Sequence, residues 1–227
     1  MQPAEEEKAP ERLVLGRDVV VSRVNLCSGI VPDKLARLIC ESRQGPPWSE
    51  KVHCPNCGKN DFLISNPEGN TCGECHKGVV EITWTIERAT QALLEGAARE
   101  SQVHAAVLNP RSAPVPIGLI EVLPCELLDL NREMNDRSAV AIVRATRHRG
   151  RFAFVRNLSV HEDYAREDIY YALLESTVRS SADESMPFVL LVAESSMPHR
   201  ICQRLRLPLA MWAKNGALLL GGMLRAH

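Results

Sequence analysis

Four of the chain's eight cysteines fall in two knuckles, Cys54-Pro55-Asn56-Cys57 and Cys72-Gly73-Glu74-Cys75. A two-residue gap lets one tight turn present two thiolates on the same side. About fourteen residues separate the knuckles, close to the spacing of a four-thiolate zinc site. Zn²⁺ takes four soft ligands in a tetrahedron, and a set filled wholly by protein is structural, with no position left for water. Gly58 and Gly73 suit such turns because they tolerate positive φ. A pair of disulfides is the other use of these thiols, and it needs an oxidising compartment. Cys54, Cys57, Cys72 and Cys75 are therefore expected to bind zinc, with His53 and His76 beside them as surface groups.

The elements that must position this ribbon are read from the rest of the 227 residues. Formal net charge is −1, so no global field draws the chain to nucleic acid or membrane. The acidic start, Met1 to Lys8, lacks the apolar core of a signal peptide. The longest apolar run, Ala217 to Leu224, is too short to span a bilayer. These features predict a reducing, cytoplasmic setting with no membrane partner. Cys27, Cys40, Cys125 and Cys202 are then expected as buried free thiols.

Residues 1–11 read as a disordered tail, and 12–50 as the first part of a larger domain. The ribbon insertion is expected at 51–84 and the remainder of the domain at 85–227. Leu13 to Val24 reads as a strand, and Pro32-Asp33 opens a helix with Leu35, Leu38 and Ile39 on one face. Val79 to Trp84 closes the ribbon, and a helix over Ile86 to Ser101 follows. A hairpin joins Val103–Leu108 to Val115–Val122 through Asn109-Pro110-Arg111-Ser112. Cys125 to Met134 reads as helix, and Ser138 to Thr146 as helix or strand. Arg151–Val160 is a strand, Ile169–Ser180 a helix, and Phe188–Ala193 an apolar strand of the buried type. Pro198–Leu205 is a short helix and Ala217–Leu224 the last strand. The later alternation implies parallel pairing and the hairpin antiparallel pairing. The expected fold is α/β: a mixed sheet with helices on both faces, plus a small inserted zinc ribbon.

This order of elements resembles the GNAT acyltransferase superfamily. Val19–Val24 stands for its first strand and the Pro32 and Ile86 helices for its first two helices, with the ribbon inserted between them. Arg151–Val160 stands for the central fourth strand. Phe188–Ala193 stands for the fifth, which splays from the fourth to form the acyl-CoA cleft. The stretch from Val160 to Leu174 fits the family's pattern after the fourth strand without a gap, matching at Val160, Tyr164, Ile169, Leu173 and Leu174. The family's two glycines fall instead on Asp168 and Tyr170, and its preceding Arg or Gln falls on Ala165, next to Arg166. The resemblance implies a coenzyme held near Leu158, Val160, Arg166 and Ile169. It also places Cys202 where the family carries a Tyr that protonates the leaving thiolate. Glu162, Asp163, Glu167 and Asp168 put carboxylates where the resemblance expects a pyrophosphate. They suit a helix N-terminus by their charge.

His161 and Glu162 lie at the carboxyl end of the expected central strand, where α/β ligands tend to bind, and are candidate bases. Arg144, Arg147, His148, Arg149 and Arg151 form one basic cluster, and Arg200, Arg204 and Arg206 another. Three functions stay open. The first is acyl transfer from acetyl-CoA or another acyl-CoA to an amine, with zinc as a structural ion. The second is a non-catalytic GNAT-like scaffold whose ribbon and Arg144–Arg151 cluster bind nucleic acid or a protein. The third is a GNAT-derived enzyme with a different donor.

Overall fold

The computed structural model describes residues 13–15, 18–26, 32–44, 52–54, 56–57, 60–61, 64–66, 71–72, 75–77, 81–82, 84–111, 113–134, 141, 143–144, 150–183, 186–193, 196–205, 209–212 and 217–222. The expected tail at 1–11, Cys27, Gly58, Gly73, Arg147, His148, Arg149 and Arg206 lie outside the described residues, as does the Cys72 side chain.

Strands β1 (Leu13–Leu15) and β2 (Val19–Val24) lead to helix α1 (Pro32–Gln44). Five short strands follow: β3 (Val52–His53), β4 (Asn60–Asp61), β5 (Ile64–Asn66), β6 (Thr71–Cys72) and β7 (Glu81–Ile82). Then come α2 (Ile86–Ala98), β8 (Gln102–Leu108), β9 (Val115–Cys125), α3 (Leu127–Met134) and β10 (Phe152–Val160). The chain closes with α4 (Glu167–Asp183), β11 (Phe188–Ala193), α5 (Met197–Arg204), β12 (Leu209–Trp212) and β13 (Ala217–Gly222).

Eight strands form one sheet in the order β1-β2-β8-β9-β10-β11-β13-β12. Among the described residues only β10 and β11 pair in parallel. The parallel pairing expected for the later part is thus limited to one ladder. β12 takes the edge and sends β13 back antiparallel to β11. The expected single strand over Leu13–Val24 is instead the hairpin β1–β2, and the ambiguous stretch is helical at Ala141, Val143 and Arg144.

Both faces of the sheet are covered, so its central strands bury alternate residues on opposite sides. Ala106, Ile120, Val122, Ala153 and Val155 face one core with Ile169, Leu173 and Leu174 of α4 and Ile201 of α5. Val103, Ala105, Val107 and Leu119 face Leu35, Ile39, Ala89 and Leu93 of α1 and α2. Cys125, Phe152, Phe154 and Val189 pack with Leu130 of α3. Helix starts are set by side-chain caps. Thr85 Oγ1 accepts from Arg88 N–H at 3.2 Å, and Ser196 Oγ accepts from His199 N–H at 3.3 Å. The short strands form a three-stranded sheet, β4-β3-β7, and a hairpin, β5-β6. β3 pairs with β7, so this stretch leaves and rejoins the chain side by side.

His104, on β8, is only 7% exposed, and its Nε2 has no hydrogen-bond partner. Burial, with the Arg23 charge on the paired strand adding to it, pushes its pKa from 6.5 down to about 4. The folded ring stays neutral where the unfolded one takes up a proton. Stability is therefore expected to fall as pH drops from 6.5 towards 4, by at most about 3 kcal/mol from this group. Urea unfolding midpoints at pH 7 and pH 5 check this. His104→Leu should flatten that part of the profile.

Candidate functional site

β10 carries the site. Its first residues, Ala153 to Val155, pair with Phe188 to Leu190 of β11. Both strands then run on, β10 to Val160 and β11 to Ala193, with no further pairing between them among the described residues. β9 and β13 still pair with their outer edges. The two strands therefore splay, and among the described residues β11 forms no ladder with β10 beyond Val155.

The splay starts at a β-bulge. Val155 pairs with Val122 and Asn157 with Glu121, so Arg156 is an extra residue in β10. A bulge puts two consecutive residues opposite one. Here Arg156 and Asn157 both reach Glu121, while Val155 and Leu158 both face the α4 core. Glu121 is fully buried. Its carboxylate accepts from Arg156 Nε at 2.9 Å, Arg156 Nη2 at 2.5 Å and Asn157 Nδ2 at 2.6 Å. Arg156 Nη2 also donates to the Ala92 carbonyl of α2 at 2.6 Å. A Cβ at Gly96 of α2 would meet Glu121 Oε1 and Arg156 Nη2, so only glycine leaves room for the pair. None of these residues was among the expected site residues. The signal was present as a lone carboxylate inside the apolar run of β9.

Beyond Val160 the chain turns through a short 3-10 helix, Glu162–Tyr164, into α4. His161 N–H donates to the Ile117 carbonyl at 2.9 Å, tying the turn to β9. His161 Nδ1 accepts from Asp163 N–H at 3.3 Å, and its ring packs edge-on against Tyr164. This contact and the Asp163 carboxylate, 3.7 Å away, both lie at Nδ1 and tie the ring to its own turn. Glu162 is exposed on the same turn. Leu158 and Val160 pack on the α4 core and Ile169 is 3% exposed, so these three can offer a ligand only backbone groups.

At the start of α4 the first hydrogen bond is Tyr170 N–H to the Arg166 carbonyl, at 3.3 Å. The preceding N–H groups point out of the helix end. Arg166 is bidentate to Asp168, at 3.1 Å from Nε and 2.5 Å from Nη2. Arg204 of α5 pairs with Glu167 and sits 5.5 Å from the Tyr171 ring centroid. Both arginines near the helix start are therefore held by carboxylates of its first turn.

Cys202 belongs to the core, fully buried, and burial pushes its thiol up to about 12. A general acid works best near the ambient pH. At this depth and acidity Cys202 fills space and does not serve a cleft. Cys125 is likewise buried and pushed up to about 12 by burial. Of the basic clusters, Arg144 and Arg200 are exposed, while Arg151 bonds Glu100 at 2.9 Å.

Three of the four knuckle thiols come together. The sulfur atoms of Cys54, Cys57 and Cys75 lie within 4.8 Å of one another, and Cys54 and Cys75 are 3.6 Å apart. Tetrahedral Zn–S bonds of 2.3 Å put two sulfurs about 3.8 Å apart, so the donor set fits the ion. Asn56 Nδ2 donates to Cys75 Sγ at 3.3 Å, which favours the thiolate. Cys72 lies on β6, paired through its backbone with Ile64. His76, at φ 53°, takes the left-handed conformation in the second knuckle and is exposed.

No protein-family profile and no curated protein sequence matches the chain. Solved structures do. A NatC complex bound to Gag peptide and CoA includes a chain that matches at 14% identity over 92% of this chain and 100% of its own, with TM-score 0.54. An Aedes aegypti protein described as arylalkylamine N-acetyltransferase 7 matches at 8% identity over 91% and 88%, with TM-score 0.57. A Bordetella pertussis protein described as a GNAT-family acetyltransferase matches at 12% identity over 93% and 98%, with TM-score 0.52. At these identities the likeness is one of fold, and the fold is that of the GNAT acetyltransferases.

One bound metal per chain is the expected result of elemental analysis on protein purified under reducing conditions, and zinc is the expected element. Chelation should release it and make Cys54, Cys57 and Cys75 reactive to thiol reagents. Metal-free protein with these thiols already reactive would refute the site.

Proposed function

We propose that the chain is an N-acyltransferase that moves an acyl group from acyl-CoA to an amine, with a structural zinc in an insertion spanning 51–84. The observation that carries this reading is the splayed pair β10–β11, in which the β10 edge over Leu158–Val160 lies beyond the ladder with β11 and runs on towards the start of α4. An extended acyl-pantetheine adds to such an edge through backbone hydrogen bonds. When bound, acyl-CoA supplies the activated thioester. The β10 N–H groups orient the ligand, and the exposed Glu162 carboxylate takes the proton from the acceptor amine. His161, through its bonds to Ile117 and Asp163, holds the turn that presents Glu162.

The residues fit the two halves of the coenzyme unequally. The edge of β10 suits the pantetheine. At the diphosphate end, the N–H groups of α4 and the side chains of Arg166 and Arg204 suit an anion, and Asp168 and Glu167 already hold both arginines. A diphosphate has to displace its own mimic. That arrangement favours a second reading: a GNAT-shaped scaffold without catalysis, binding nucleic acid or a protein through the ribbon and Arg144–Arg151, or an enzyme whose donor lacks a diphosphate.

Calorimetric titration with acetyl-CoA and with coenzyme A separates these readings. Micromolar binding is expected, and Glu167→Gln with Asp168→Asn should tighten it by about fivefold as the competing charges go. No binding by either protein at millimolar ligand would reject acyl-CoA as the donor. In an acceptor assay, Glu162→Gln is expected to lower kcat by about a hundredfold with KM for acetyl-CoA little changed.

A further inference from the structure

We infer that Asn56 is a positioning residue of the metal site, whose side-chain amide holds the Cys75 sulfur of one knuckle against the other and strengthens the grip on the ion. The inference rests on the structural-zinc reading and deepens it. The two knuckles belong to separate pieces of backbone. The first follows β3 of the three-stranded sheet, and the second follows β6 of the β5–β6 hairpin. Among the described residues no ladder joins that sheet to that hairpin. Yet the sulfurs of Cys54 and Cys75 stand 3.6 Å apart, with Cys57 in the same cluster. Side chains have to make the junction. One hydrogen bond that crosses it runs from Asn56 Nδ2 in the first knuckle to Cys75 Sγ in the second, at 3.3 Å.

The residue type suits the task. A metal-bound thiolate is a charged acceptor, and an amide brings N–H donors with no charge of its own. Hydrogen bonds to a charged partner are the strong ones. A carboxylate in the same place would offer the thiolates only lone pairs and a further negative charge. An asparagine oxygen has a second use, since it can shape a turn by bonding the backbone two residues on, and aspartate does that equally well. The two roles therefore part at a single substitution. The three sulfurs also differ in access: Cys54 is buried, Cys57 exposed and Cys75 between them. Cys75 can thus be reached by a reagent, and a donor on its sulfur draws off the charge that makes a thiolate nucleophilic.

The test uses the full chain and the variants Asn56→Ala and Asn56→Asp. Zinc affinity is measured by chelator competition, and alkylation of each cysteine in the zinc-loaded proteins by mass spectrometry. Asn56→Ala is expected to bind zinc about tenfold more weakly, with Cys75 alkylated faster relative to Cys54 and Cys57. Asn56→Asp should bind more weakly still, because it keeps the size and the oxygen, loses the donor and adds a charge. Asn56 is exposed, so neither change touches the core. Unchanged affinity and alkylation in Asn56→Ala would overturn the inference. So would Asn56→Asp at wild-type affinity, which would assign the residue to the turn. A weaker affinity with all three thiols alkylated faster to the same degree would overturn it too, since the knuckles would then have loosened as a whole. Wild-type protein that takes up no zinc would reject the metal site itself before any variant is compared, and the inference with it.

Discussion

A carboxylate with no exposure must find donors inside the protein, and Glu121 finds three. Much of the centre of the molecule follows from that need. Satisfying it takes two side chains from one strand on one face, which fits a bulge in β10. The bulge stands where the β10–β11 ladder ends and the two strands separate. The same carboxylate fixes α2, because Arg156 also bonds the Ala92 carbonyl and Gly96 must stay without a side chain. Pairing, helix docking and strand separation therefore meet at one buried charge. Removing one partner would leave the other buried and uncompensated, which is costly even where the intact pair adds little.

The start of α4 shows the opposite economy. A helix N-terminus attracts anions, and in this chain the anions come from its own first turn. Glu167 and Asp168 complement the helix dipole and also hold Arg204 and Arg166. These pairs are exposed, so each contributes little to stability. Their effect falls on binding, because an incoming anion gains the arginines only by releasing carboxylates that then stand nearby. Any anion binding at this helix end has to displace the chain's own carboxylates.

The features legible in the sequence were those with a local cause. Cysteine spacing marked the knuckles, since a two-residue gap has few other uses. Arg151–Val160 read as a strand that contains β10, and an apolar run marked β11. The β1–β2 hairpin was missed because a run of valines masked the turn that includes Asp18. β12 was missed because its pairing with β13 depends on a partner later in the chain. Cys202 aligned with a catalytic position by sequence but packs in the core, since alignment fixes a place on a helix and not the way it faces. The contact of His161 Nδ1 with Asp163 N–H depends on the turn after β10, which residue type alone does not show. Glu121, Arg156 and Asn157 are far apart or ordinary in sequence, and only the register of β9 against β10 brings them together.

The knuckles and the cleft draw on different sources of order. Between β3 and β7 the described residues form only short strands, and two-residue ladders cannot hold a fold in water. Three thiols within 4.8 Å of one another, one of them fully buried, supply what those ladders lack once a metal joins them. Because β3 and β7 lie side by side, the stretch between them returns to where it left. The two helices can then pack on each other and on the sheet as though the intervening residues were a short loop.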